Sequence, residues 1–163
     1  MRAPELQRLL DLAVMTVQRN VADFTHAESL RTPDGGGSSA NWILGHLVES
    51  RGNLLTMLAE FGGEPVWSAE VAEPYQRGAP VLREDAALPF EEILAAFEAS
   101  QSRLTDVIVQ LTGSKLDALL DEPDPFLGRT LGETISTFAW HEAYHCGQLG
   151  LLRRVVGKPG AIT

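Results

Sequence analysis

Apolar residues recur every three or four positions in four separate stretches of this 163-residue chain, and no convincing period-two alternation is present. That period lines them up on one stripe of a helix, so the chain must bury its apolar surface helix against helix. The first stretch runs from about Pro4 to Leu30, with Leu6, Leu10, Ala13, Val17, Val21 and Phe24 on its stripe. Arg31-Thr-Pro-Asp-Gly-Gly-Gly37 breaks it, because Pro and three glycines do not continue a helix. Ser38 or Ser39 then caps a second helix reaching about Phe61, with Ile43, Leu47, Leu54, Leu58 and Phe61 facing inward. Pro89 suits the first turn of a third helix, whose face is Phe90, Ile93, Leu94, Phe97, Leu104, Ile108 and Leu111 before Gly113 ends it. Ser114 to Leu120 has room for a short extra turn or two.

The fourth helix is bounded most clearly. Thr130-Leu-Gly-Glu133 is a capping box, and Gly157 ahead of Lys158-Pro159 is a stop. Arg153, Arg154 and Lys158 suit the negative end of its dipole. Four long helices predict an all-α, four-helix bundle, one domain over residues 1–163. The connection from Gly62 to Pro89, punctuated by glycines and prolines, reads as a long irregular loop. Loops of that length are uncommon in compact folds unless they cover a site or a partner.

Composition narrows the function. With 22 Asp+Glu against 13 Lys+Arg the net charge is −9, which disfavours nucleic acid and anionic membranes as partners. No apolar run approaches the roughly 18 residues of a bilayer span, and no secretion signal is evident at the N-terminus. Cys146 is the only cysteine, so no intrachain disulfide forms and a cytoplasmic setting is expected.

The chemistry-bearing residues are histidines: His26, His46, His141 and His145. Residues four apart on a helix are offset by about 40°, so His141 and His145 project as a stacked pair able to hold one ion. Phe138, Leu149 and Leu152 lie within about 60° of them on the same wheel, which turns the pair toward the interior. His46, at the edge of the second helix's stripe beside Ser50 and Asn53, completes a three-histidine site if the second and fourth helices are neighbours. Three imidazoles with a vacant fourth position describe a catalytic zinc-type site. The plainer alternative is a set of satisfied core histidines. His26 reads as surface or interhelical.

His141-Glu-Ala-Tyr-His145 also spells the H-E-x-x-H string of metallopeptidases. That class commonly takes its third protein ligand downstream, yet Cys146 to Thr163 contain no His, Asp or Glu. A peptidase is therefore the remote alternative. Glu142, about 60° from His145 around the helix, is the candidate catalytic base or a partner of a ligand; otherwise it is a solvated helix charge. Gln148, three residues past His145, is placed to hydrogen-bond an imidazole N–H or a neighbouring helix backbone. Trp42 and Tyr144 read as packing or pocket walls, Cys146 as a buried small residue, and Asn41 and Gly45 as serving the helix start and close packing.

Asn41-Trp-Ile-Leu-Gly-His46-Leu, Thr130-Leu-Gly-Glu133 and His141-Glu-Ala-Tyr-His145-Cys-Gly-Gln148, in this order and spacing, resemble the DinB-like family. The ending Leu-Leu-Arg-Arg-Val-Val-Gly-Lys-Pro159 is similar to that family's, and the 62–89 stretch is covered least. The resemblance implies an up-down-down-up bundle, a homodimer, and one divalent metal held by His46, His141 and His145. It also implies kinship with thiol S-transferases using bacillithiol or mycothiol, and with a thiol-dependent maleylpyruvate isomerase. The resulting expectation is a metal-dependent transferase, isomerase or hydrolase. It would use zinc or nickel on a low-molecular-weight thiol or on water, with a non-catalytic dimeric metal-binding bundle as the alternative.

Overall fold

A computed structural model describes residues 2–161. Four long helices dominate it: α1 (Ala3–Val21), α3 (Ala40–Met57), α5 (Phe90–Ile108) and α7 (Leu131–Val155). Three single-turn helices, α2 (His26–Ser29), α4 (Ala69–Ala72) and α6 (Gly113–Leu116), lie between them, with a hairpin of β1 (Leu119–Asp124) and β2 (Gly128–Thr130). Each long helix packs on two others: α1 on α7 and α5, α3 on α5 and α7. Residue pairs give their directions. Gln7 meets Thr105 and Gln18 meets Glu98, so α1 and α5 run oppositely. Asn41 meets Leu88 and Arg51 meets Phe97, so α3 and α5 run the same way, which requires the long connection between them. None of the described helices is long and apolar enough to cross a membrane.

The core falls into two apolar clusters. One gathers the C-terminal halves of α1 and α7 with the N-terminal halves of α3 and α5, through Val17, Ile43, Leu44, Phe97 and Leu149. The other gathers the opposite halves, through Leu6, Leu10, Leu54, Leu104 and Ile135. At the join, α3, α5 and α7 each carry a buried polar residue: Arg51, Ser100 and Glu142.

Four expectations need correction. The first helix does not reach Leu30: it ends at Val21, Asp23 takes φ +63°, and α2 starts afresh. The restart is local chemistry, since Thr25 Oγ1 accepts from Glu28 N while the Glu28 carboxylate accepts from Thr25 N. The third long helix stops at Ile108, and Gly113 opens α6 rather than ending α5. The fold is not purely helical, because β1 and β2 pair antiparallel, Leu119 opposite Thr130 and Asp124 opposite Gly128. Side chains along β1 are mostly exposed, so no apolar alternation marks it. Turn chemistry holds it instead: Asp124 Oδ1 accepts from the Phe126 and Leu127 amides, and Glu133 accepts from those of Arg129 and Thr130. Finally, the 62–89 connection is not structureless; it contains α4 and two 3-10 turns, Glu73–Tyr75 and Glu84–Ala86.

The expected boundaries of α7 do hold. Thr130 caps it through Glu133 N, and Gly157 (φ +83°) lets Lys158 N reach back to the Arg153 carbonyl.

Candidate metal centre

The site begins with a tyrosine in the connection. Tyr75 is fully buried, and its ring lies against Gly45 of α3, where any Cβ would occupy the same space. Its hydroxyl donates to Asn41 Oδ1 (3.2 Å) and accepts from Leu88 N (2.9 Å). Asn41 Nδ2 in turn donates to the Leu88 carbonyl (3.0 Å). The 62–89 connection is thereby a strap fastened to α3 at Asn41 and at Gly45, one residue from His46, and His46 Nδ1 bonds the Tyr75 carbonyl at 2.9 Å.

That bond sets a tautomer. A carbonyl oxygen only accepts, so Nδ1 carries the proton and Nε2 of the neutral ring presents a lone pair. On α7, His145 Nδ1 meets Gln148 Oε1 at 2.6 Å, which sets the same tautomer. His141 Nδ1 lies 3.5 Å from Ser50 Oγ. All three Nε2 atoms turn to one point: His141 Nε2 is 3.3 Å from His46 Nε2 and 3.0 Å from His145 Nε2. The three possible ligand atoms all lie within 4.8 Å of one another.

The spacing suits a metal. Ligand nitrogens about 2.0–2.1 Å from a zinc ion stand roughly 3.3 Å apart at tetrahedral angles and about 3.0 Å at octahedral ones. At least two bare lone pairs face the same point; a proton on His141 Nε2 would serve one of them at a time, whereas a metal cation satisfies all three rings at once. Burial holds His141 and His145 well below the usual imidazole range, both to about 4. The neighbouring His46 adds to this for His141, and His141 does so for His145. Glu49 opposes the shift at His141 and Arg77 reinforces it. At neutral pH these two rings are uncharged, the form that ligates.

The histidines form the floor of a cavity of about 760 Å³, with Trp42, Glu49, Asn53, Arg77, Phe126 and Trp140 among its walls. Trp42 stacks on His46 with 4.9 Å between centroids, and Tyr144 sets an edge against His145 at 5.3 Å. Both therefore act as wall residues.

Glu142 is elsewhere. It is neither in solvent nor on the cavity wall: it is buried, and Arg51 Nε and Nη2 hold its two carboxylate oxygens at 2.6 and 2.8 Å. Arg51 Nη1 donates to the Phe97 carbonyl and Ser100 Oγ, and the guanidinium lies 3.9 Å over the Phe97 ring. Two carboxylates do border the cavity, Asp124 from the hairpin and Glu49, the latter one turn after His46, with Oε2 3.5 Å from His46 Nδ1 and Oε1 accepting from Asn53. Sequence reasoning missed Glu49, although its i+3 spacing from His46 was a usable signal. Cys146 is buried, its thiol pushed up to about 12 by desolvation and then by Glu142. His26 is exposed at the start of α2, away from the other three.

The sequence profile of the DinB superfamily matches residues 9–149, and the chain belongs to that superfamily. No curated protein matches the chain.

Proposed function

We propose that this DinB superfamily protein is a metal-dependent enzyme of the transferase, isomerase or hydrolase type. It holds one zinc or nickel ion through His46, His141 and His145. The observation that carries the reading is the convergence of three Nε2 atoms at the floor of an open cavity while two of the three Nδ1 atoms are held by fixed acceptors. A purely structural ion would be enclosed by a fourth protein ligand, and among the described residues no fourth His, Cys, Asp or Glu joins the group. The helix directions agree with an up-down-down-up bundle. The resemblance adds a homodimer, and the single cysteine suits a reducing, cytoplasmic setting.

A divalent ion bound there supplies Lewis acidity, enough to ionise a low-molecular-weight thiol or lower the pKa of water toward about 7. The chain's own groups do the rest. The Tyr75 carbonyl and Gln148 fix the ring planes and make the ligand nitrogens more basic. Glu49, oriented by Asn53, is the carboxylate placed to receive the proton that an incoming thiol or water gives up. Trp42 shields one face of His46 from water.

Elemental analysis of untagged protein beside a His46→Ala variant tests this. About one divalent ion per chain, lost in the variant, is expected from a three-ligand site. Folded protein that carries no metal and refuses added Zn²⁺ and Ni²⁺ would overturn the reading.

A further inference from the structure

The cavity above the histidines is unusually aromatic for this chain. Of its three Trp, two Tyr and six Phe, five border this one space: Trp42, Phe126, Phe138, Trp140 and Tyr144. Three of them leave more than half their surface in solvent: Phe126 at 63%, Trp140 at 57% and Tyr144 at 56%. They form a continuous run. Phe126, at the hairpin turn, sets its edge on Trp140 (6.0 Å), Trp140 stacks on Tyr144 (6.3 Å), and Tyr144 meets His145. Exposed aromatic surface gathered on one cavity wall is surface that a flat apolar body would remove from water.

Charge selects further. Two carboxylates border the cavity and both are engaged: Glu49 by Asn53, and Asp124 Oδ1 by two backbone amides. Arg77 borders it too, from the strap just after Tyr75, and among the described residues it makes no hydrogen bond or ion pair. Arg77 is exposed there, so its N–H groups face water, and a guanidinium on such a wall has the geometry to take a planar anion through two parallel N–H bonds. One guanidinium balances the single charge of a carboxylate but only half that of a phosphate dianion, which Glu49 and Asp124 would also repel more strongly.

We propose that the substrate of this site is an aromatic or similarly flat apolar carboxylate. Its acid group pairs with Arg77, and its body lies along Phe126, Trp140 and Tyr144. This deepens the functional reading above and rests on it only in taking the cavity as the substrate site.

Titration calorimetry with 2-naphthoate and 2-naphthamide tests the proposal, since the two probes share a ring system and differ in charge. The acid is expected to bind about tenfold or more tightly than the amide, the value of one charge-assisted contact. Arg77→Gln should abolish the difference and leave amide binding in place, while Trp140→Ala should weaken both probes. Arg83→Gln, at a residue paired with Asp85 and outside this cavity, should change neither. Equal binding of acid and amide, binding of neither, or a preference that survives Arg77→Gln would overturn it. The last would mark direct ligation of a metal. Metal content measured on the same samples separates the two readings. A preference shown by metal-free protein supports the carboxylate proposal even if the metalloenzyme reading fails, and metal-loaded protein without the preference refutes the proposal alone.

Discussion

α3 and α7 build two polar constellations side by side, and they are opposites. His46, His141 and His145 face one another across a point and open onto a cavity. Arg51 and Glu142, five residues after His46 and one after His141, close on each other with Ser100 and the Phe97 carbonyl. In the closed pair four of the five guanidinium N–H groups meet acceptors, both carboxylate oxygens are held, and burial leaves no room for a ligand. In the histidine set the outer nitrogens are directed to protein partners and the inner ones are left facing each other. A buried polar cluster that satisfies itself is part of the fold; one whose lone pairs converge is prepared for something else.

The largest effect expected from this contrast is on stability, in the closed pair. Arg51→Met leaves the Glu142 carboxylate buried without its partner, which costs about 3–5 kcal/mol. The double variant Arg51→Met/Glu142→Leu should recover most of that loss, because an apolar pair of similar volume avoids the desolvation of two charges. Urea unfolding of metal-free proteins measures both, and His46→Ala in the same series should cost only about 1 kcal/mol. If Glu142→Gln were as stable as the parent, the carboxylate would return as a candidate catalytic base and the comparison would collapse.

A smaller effect should appear where the strap touches α3. Gly45→Ala places a methyl group in the Tyr75 ring, so Tyr75 must move and its carbonyl with it. Overpacking of that kind costs about 1–3 kcal/mol, and loss of the oriented His46 should lower metal affinity about 10- to 100-fold. Gly147→Ala is the control. It lies two residues past His145 on α7, but its Cβ meets nothing, so the variant should keep its metal and gain up to about 1 kcal/mol of helix stability. Metal affinity by competition with a chromogenic chelator distinguishes the two.

How much of this was legible in the sequence follows from the range of each interaction. The long helices announce themselves through their apolar stripes, and α7 through its capping box, because those signals are local. The histidine triad was legible for a different reason: two members sit at i, i+4, and the third needed only that α3 and α7 be neighbours. Gln148 against His145 was legible on the same local ground. The closed pair was not, since its partners come from three helices; the available signal was a charge of each sign at a core position, Arg51 between Leu47 and Leu54, and Glu142 between Phe138 and Leu149. Tyr75 was illegible because a tyrosine in a Gly/Pro-rich stretch reads as loop, and only the absent side chain of Gly45 makes room for it. The hairpin escaped because it is held by Asp124 and Glu133 rather than by an apolar face.

The smallest effect concerns protons, and it tests whether the open set is as unsatisfied as its geometry says. His141 and His145 titrate near 4 in the folded chain, chiefly through burial, against about 6.5 for an unperturbed imidazole. Between those values the unfolded chain binds protons that the folded chain does not, so the stability of metal-free protein should fall as pH drops from about 6.5 to 4. Above that window the two rings are neutral in both states and contribute no slope. The loss should be modest, because the rings face the cavity and its water screens part of the cost. Carboxylates titrate toward the lower end of the same window, so the slope of the parent alone decides nothing; the difference from a His141→Ala/His145→Ala variant does. Unfolding free energies at pH 7.5 and 5.0 should differ more for the parent than for the double variant. An identical pH dependence in the two proteins would mean that the rings take up protons in the folded chain as they do in the unfolded one, and the contrast with the closed Arg51–Glu142 pair would then lose its physical basis.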